Sequence, residues 1–188
     1  MMTMHTPRAL FEADLKLALT AASQAYDRKR FVVVGSASIL ASFPDAPGYL
    51  RMSADIDMFP IRKLREETFK PGDDKVGQAS QFEDENDFYV ERVGDWTMLS
   101  QPSGWLERCV KFESGEVMGY CITPLDLAYN KTEAGRDKDI HFVAGMITEG
   151  IVTREALESF IKEGVPHPDF LPTLEKNLAM VYASLDEV

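Results

Sequence analysis

Residues 31–59, FVVVGSASILASFPDAPGYLRMSADIDMF, constrain the fold more than any other part of the chain. The stretch opens on Phe31, Val32, Val33 and Val34, an apolar run with three β-branched residues that reads as a buried strand. Gly35 and Ser36 end it, and Ala37 to Phe43 reads as a short helix. It closes on Ala54-Asp55-Ile56-Asp57-Met58-Phe59. Alternate side chains of a strand share a face, so Asp55 and Asp57 point one way and Ile56 and Met58 the other. Like charges held side by side repel. A hard divalent cation removes that cost, and Mg²⁺ takes few protein carboxylates together with phosphate oxygens. The plain structural alternative is an edge strand with two solvated acids.

A strand ending in Gly-Ser, then a helix, then a strand carrying Asp-hydrophobic-Asp resembles the signature of the nucleotidyltransferase superfamily, the polymerase β-like fold. The resemblance implies that Gly35 and Ser36 hold nucleotide phosphates while Asp55 and Asp57 hold Mg²⁺ or Mn²⁺. The distance in sequence from Gly35 to Asp55 exceeds that of the most compact members, and 44–49 reads as an inserted loop. Arg51 and Ser53 share strand parity with the aspartates. Ser53 suits a phosphate hydrogen bond, and Arg51 either pairs with a phosphate or neutralises Asp55. The superfamily adds a third carboxylate from a later strand. Glu91, inside the apparent strand 88–93, has a fixed direction and is preferred; Asp95, next to Gly94, is the other candidate.

A second run, TPLDLAYNKTEAGRDKDIHF at 123–142, is independent of the first. Thr123 suits a helix cap, Pro124 its first position, and Asp126 its first turn. Gly135 marks a break before a further helix. The run resembles minimal nucleotidyltransferases related to abortive-infection and toxin–antitoxin proteins. That resemblance implies that Lys131 neutralises the triphosphate, and that Asp139 either orients Lys131 or acts near the attacking hydroxyl. It also implies a cognate antitoxin as partner. The plain alternative is a salt-bridged pair of helices.

Elsewhere the periodicity predicts a helix over Pro7 to Tyr26 capped by Thr6, and a helix–loop–helix over Lys63 to Phe82 interrupted at Pro71. It also predicts a strand at 96–99, a hairpin turning at Ser114-Gly115, and helices at 153–164 and 174–185. His141 and His167 lack metal-ligand spacing. The formal net charge of −11 argues against holding nucleic acid by overall charge, since that binding rests on Lys and Arg. Cys109 and Cys121 fit neither a disulfide framework nor a zinc pattern. No apolar run is long enough for a bilayer and the first residues have no signal-peptide core, so a cytoplasmic location is expected.

These readings combine into an α/β fold, a nucleotidyltransferase-like short mixed sheet flanked by helices, with C-terminal helices. Residues 1–147 are expected to form the catalytic domain and 148–188 a helical extension packed on it. The expected reaction is Mg²⁺-dependent transfer of a nucleoside monophosphate from an NTP to an acceptor hydroxyl. RNA (tRNA among them), a protein side chain and a small alcohol or sugar all fit as acceptor. The competing reading is a nucleotide-binding or protein-interaction module of the same fold without catalysis.

Overall fold

The computed structural model describes residues 6–61, 72–164 and 167–186. Most of the stretch expected to be helical from Lys63 to Pro71, and the connector at Val165-Pro166, lie outside the described residues. In chain order the elements are β1 (Arg8–Ala9), α1 (Glu12–Tyr26), β2 (Arg30–Val33), β3 (Met52–Ser53), β4 (Asp55–Pro60), α2 (Asp73–Val76), α3 (Gln81–Asn86) and β5 (Tyr89–Arg92). There follow α4 (Trp105–Arg108), β6 (Val110–Ser114), β7 (Val117–Cys121), α5 (Pro124–Ala134), α6 (Asp137–Thr148), α7 (Arg154–Gly164) and α8 (Leu171–Asp186). The chain divides into two compact units, Met1–Asp95 with Cys109–Ile122, and Trp96–Arg108 with Thr123–Val188. They interleave in sequence and are drawn differently from the 1–147 and 148–188 spans.

The first unit is built on a five-stranded mixed sheet of order β5-β4-β2-β7-β6. β2 lies at its centre, antiparallel to β4 and parallel to β7, while β5 runs parallel to β4. The apolar character of β2 follows from that position, because Phe31, Val32 and Val33 are all buried. One sheet face buries Phe31, Val33, Ile56, Met58 and Cys121. α1 packs across β4, β5, β6 and β7 with Leu15, Ala18, Leu19 and Ala22, which recur at helical spacing and are fully buried. Gly119 permits close approach there: a Cβ would stand 2.9 Å from a Leu19 methyl.

Three local expectations are corrected. α1 starts at Glu12, not Pro7, because Arg8 and Ala9 pair antiparallel with Ser53 and Met52. Arg8 also forks onto the Asp14 carboxylate at 3.0 and 2.8 Å, which in turn accepts from the Phe11 N–H at 2.7 Å, so the chain enters the helix extended at Phe11. The expected helix at 37–43 is a six-residue 3₁₀ segment, Ser36–Ala41. The expected strand at 96–99 is a 3₁₀ turn, Asp95–Met98, in which Met98 alone is buried while Trp96 is 69% exposed. The β6–β7 hairpin forms as expected, with Gly115 at φ +60° in its turn. Cys109 and Cys121 are buried thiols.

The second unit is helical. α5 packs against α6, α7 and α8. The Thr123 hydroxyl accepts from the Asp126 N–H at 3.2 Å, capping α5, and Pro124 opens its first turn. Gly135 ends α5 in the left-handed region. Asp126 is completely buried and receives a forked pair from Arg108 at 2.6 and 3.2 Å. α8 starts at Leu171, three residues before the expected Leu174. Among the described residues no helix is long and apolar enough to cross a membrane.

Candidate active site

β4 fixes the two aspartates. Asp55 and Asp57 are half-buried on one face, and the intervening Ile56 is fully buried on the other. The Ser53 hydroxyl donates to Asp55 Oδ1 at 2.8 Å, so this serine orients the carboxylate from the same chain segment. Arg51 does not neutralise Asp55. Its guanidinium donates to the carbonyls of Ala46 and Leu10, at 2.6 and 2.9 Å, and lies over the Phe11 ring. It holds the inserted loop and the N-terminal arm in place.

The Gly-Ser loop meets the second aspartate directly. The Val34 N–H donates to the Asp57 carbonyl at 3.0 Å, continuing the β2–β4 ladder to the last residue before Gly35. Gly35 then turns with φ +64° and ψ −169°, a conformation that side chains other than hydrogen disfavour. A Cβ at Gly35 would also overlap Asp57 Oδ2. The buried Ser38 hydroxyl donates to the Gly35 carbonyl at 2.8 Å and holds the turn. Two independent requirements, conformation and space, thus demand glycine here, and Ser36 follows half-exposed at the start of the 3₁₀ turn.

Register settles the direction of Glu91. β5 pairs with β4 so that Asp57 lies opposite Glu91 and Asp55 opposite Tyr89, placing all four side chains on the same sheet face. Partial burial, then the charges of Asp55 and Asp73, hold the Glu91 carboxyl above its ordinary pKa. The Tyr89 phenol is pushed up to about 12, first by burial and then by Asp55 and Glu91. A cleft of about 340 Å³ adjoins Glu91, with Asp73, Gln78 and Arg92 in its wall. Arg92 forks onto Asp73 at 2.8 Å through each of two nitrogens and, with Tyr26, holds that carboxyl below the usual range. Asp95, the other candidate third carboxylate, is exposed in the 3₁₀ turn after β5. Among the described residues no three His, Cys, Asp or Glu side chains gather as they would around a metal ion.

In the second unit the turn at Gly135 brings α5 and α6 side by side, and Lys131 donates to Asp139 Oδ1 at 3.1 Å. Arg136 forks onto the same carboxylate. Asp139 is completely buried. Burial pushes its pKa upward, but the Arg136 hydrogen bond and the Lys131 charge outweigh that and hold it low. The Lys131 ammonium lies over the Phe142 ring. Asp139 is therefore ionised and doubly paired, and it fixes where the Lys131 ammonium sits. Gly35, Ser36, Ser53, Asp55, Asp57 and Glu91 belong to the first unit; Lys131 and Asp139 belong to the second. The Arg108–Asp126 pair was missed, because a helix-capping position explains an aspartate there without any partner.

A family model described as a nucleotidyltransferase of unknown function, DUF6036, matches residues 8–166. No curated protein matches the chain, and no solved structure does.

Proposed function

The chain belongs to this DUF6036 family of nucleotidyltransferases of unknown function, and from that premise we propose that it moves a nucleoside monophosphate from an NTP to an acceptor hydroxyl. The observation that carries the reading is the close contact of the Gly35 backbone with the Asp57 carboxylate. A phosphate chain held along the Gly-Ser loop would lie beside the aspartate pair.

The donor set suits a hard cation. Asp55 and Asp57 offer carboxylate oxygens from one face, Glu91 stands on the neighbouring strand, and no thiol or imidazole competes among them. Asp55 and Asp57 would hold Mg²⁺ or Mn²⁺, and Glu91 would have to move toward them to serve as a third ligand, because the three carboxylates do not gather as they stand. Such a cation, when bound, supplies charge neutralisation on the phosphates and lowers the pKa of a coordinated hydroxyl.

The remaining work falls to the chain. The acceptor hydroxyl gives its proton to solvent as its oxygen attacks the α-phosphorus, the bond from that phosphorus to the bridging oxygen breaks, and pyrophosphate leaves with the electron pair. The Gly35 and Ser36 backbone would grip the phosphates closely, and Ser53 would keep Asp55 turned to its task. Within the second unit, Asp139 would position the Lys131 ammonium as a phosphate-neutralising cation. In this reading catalysis is positioning and charge stabilisation, with no covalent protein intermediate. A toxin–antitoxin or phage-defence role is the finer proposal: induced expression slows growth, and Asp57→Ala abolishes the effect.

A second reading, a nucleotide-binding or protein-interaction module without catalysis, is favoured by one observation: three carboxylates do not gather among the described residues. One experiment separates the two. The protein is incubated with each α-labelled NTP, Mg²⁺ or Mn²⁺, and a cell extract, with Asp55→Ala/Asp57→Ala as control. Label on RNA, protein or a small molecule with the wild type alone supports transfer and gives the acceptor class. NTP binding without label on any acceptor sinks it in favour of the module.

A further inference from the structure

The sheet face that carries the aspartates does not end at β4. Ladder partners point to the same side, so the register extends that face through β2, β7 and β6. Phe59 lies opposite Val32, Val32 opposite Tyr120, and Tyr120 opposite Lys111. Arg30, two residues before Val32, has the same parity. The acidic half, Asp55, Asp57 and Glu91, thus shares one sheet face with a half that carries Arg30, Tyr120 and Lys111, with Val32 and Phe59 buried between them.

This second half brings two cations together in a chain with 31 acidic and 20 basic residues. Arg30 and Lys111 are both exposed, and among the described residues neither is engaged by a carboxylate. Nearby Lys29 is taken by Glu116, and Lys16 by Glu12. Glu113 shares the Lys111 strand and face but makes no ion pair with it. Arg30 is held in place instead: it donates to the Tyr120 hydroxyl at 2.7 Å, and its guanidinium carbon lies 5.2 Å from that ring's centre. A guanidinium pinned to an aromatic ring presents both a phosphate-matching fork and a flat stacking surface. Four residues of strand separate its register position from that of Asp57, about 13 Å along the strand.

We propose that Arg30, Tyr120 and Lys111 form a subsite for a single-stranded nucleic-acid acceptor, its phosphates on the two cations and a base against the Arg30–Tyr120 pair. The overall negative charge then favours local contact at this strip over binding by overall charge. The inference rests on the nucleotidyl-transfer reading for its meaning, but its test does not depend on transfer.

The test is fluorescence anisotropy with a 5′-labelled single-stranded RNA of about 12 nucleotides, without metal or NTP. The wild type is expected to bind. Arg30→Gln/Lys111→Gln, which changes two exposed side chains, is expected to bind roughly tenfold or more weakly, with a salt slope reduced by about 1.4, the value for two lost phosphate contacts on a single strand. Tyr120→Leu is expected to weaken binding with little change in slope. Absence of wild-type binding, or equal binding by the double glutamine variant, overturns the proposal. So does displacement of the RNA by polyglutamate as readily as by unlabelled RNA, which reassigns the strip to an acidic protein partner. If label transfer fails everywhere while the binding pattern holds, the subsite stands and only the catalytic reading falls.

Discussion

Gly35 is the residue on which the site turns. Gly35→Ala must place a Cβ into Asp57 Oδ2 while holding φ at +64°. It is expected to cost about 1–2 kcal/mol of stability and to abolish transfer, measured by thermal unfolding beside the label assay. Glu91 makes a different prediction. Its pKa is raised in the folded chain, so the native state binds the proton more tightly than the unfolded one; stability is gained as pH falls through the folded pKa and lost as pH rises above it. Glu91→Gln is therefore expected to stabilise the fold at neutral pH in EDTA by less than about 1 kcal/mol, because the side chain is exposed, and so to raise the melting temperature. The gain should fade toward about pH 4 and reverse in saturating Mg²⁺. A variant that destabilises in EDTA would show that Glu91 is not under the strain described. Much at this scale was readable in sequence: strand parity alone placed Asp55 and Asp57 together. The fate of Arg51 was not, because its partners are backbone carbonyls, at Ala46 and Leu10, and any residue type supplies those.

At the scale of elements, α5 and α6 are locked by one buried carboxylate. Asp139 has its pKa lowered in the folded chain, so its stabilisation is present above the unfolded pKa and is lost as pH falls through the folded one. Asp139→Asn leaves Lys131 and Arg136 without their counter-charge and is expected to cost about 2 kcal/mol at neutral pH. The difference from the wild type should close below about pH 4, as urea titrations across pH would show. Thr123→Ala removes the α5 cap and a hydrogen bond to buried Asp126, with an expected cost of about 1 kcal/mol. The cap, the proline and the terminal glycine made α5 legible residue by residue. The start of α1 was not legible. Pro7 and Thr6 look like a helix entry, yet Arg8 and Ala9 bond to a segment more than forty residues away, and such long-range pairing leaves no local mark.

At the scale of the molecule, 31 acidic against 20 basic residues leave net self-repulsion in the compact state. Raising NaCl from low to moderate concentration should therefore raise the melting temperature, while it weakens RNA binding at the Arg30 strip; calorimetry and anisotropy on the same samples would reveal the opposite signs. A melting temperature indifferent to salt would place the charges too far apart to matter. The order β5-β4-β2-β7-β6 also bears on how the chain is made. One of the two sheet neighbours of β2, β7, comes from the far end of the same unit, with β3, β4, β5 and β6 made in between. On the ribosome, the Val32 and Val33 backbone must wait with one hydrogen-bonding edge open until residue 121 has cleared the exit tunnel. Synthesis halted before that point would release a chain with an apolar, unpaired strand at its centre, so the pace of translation through residues 60–121 bears on the yield of native protein.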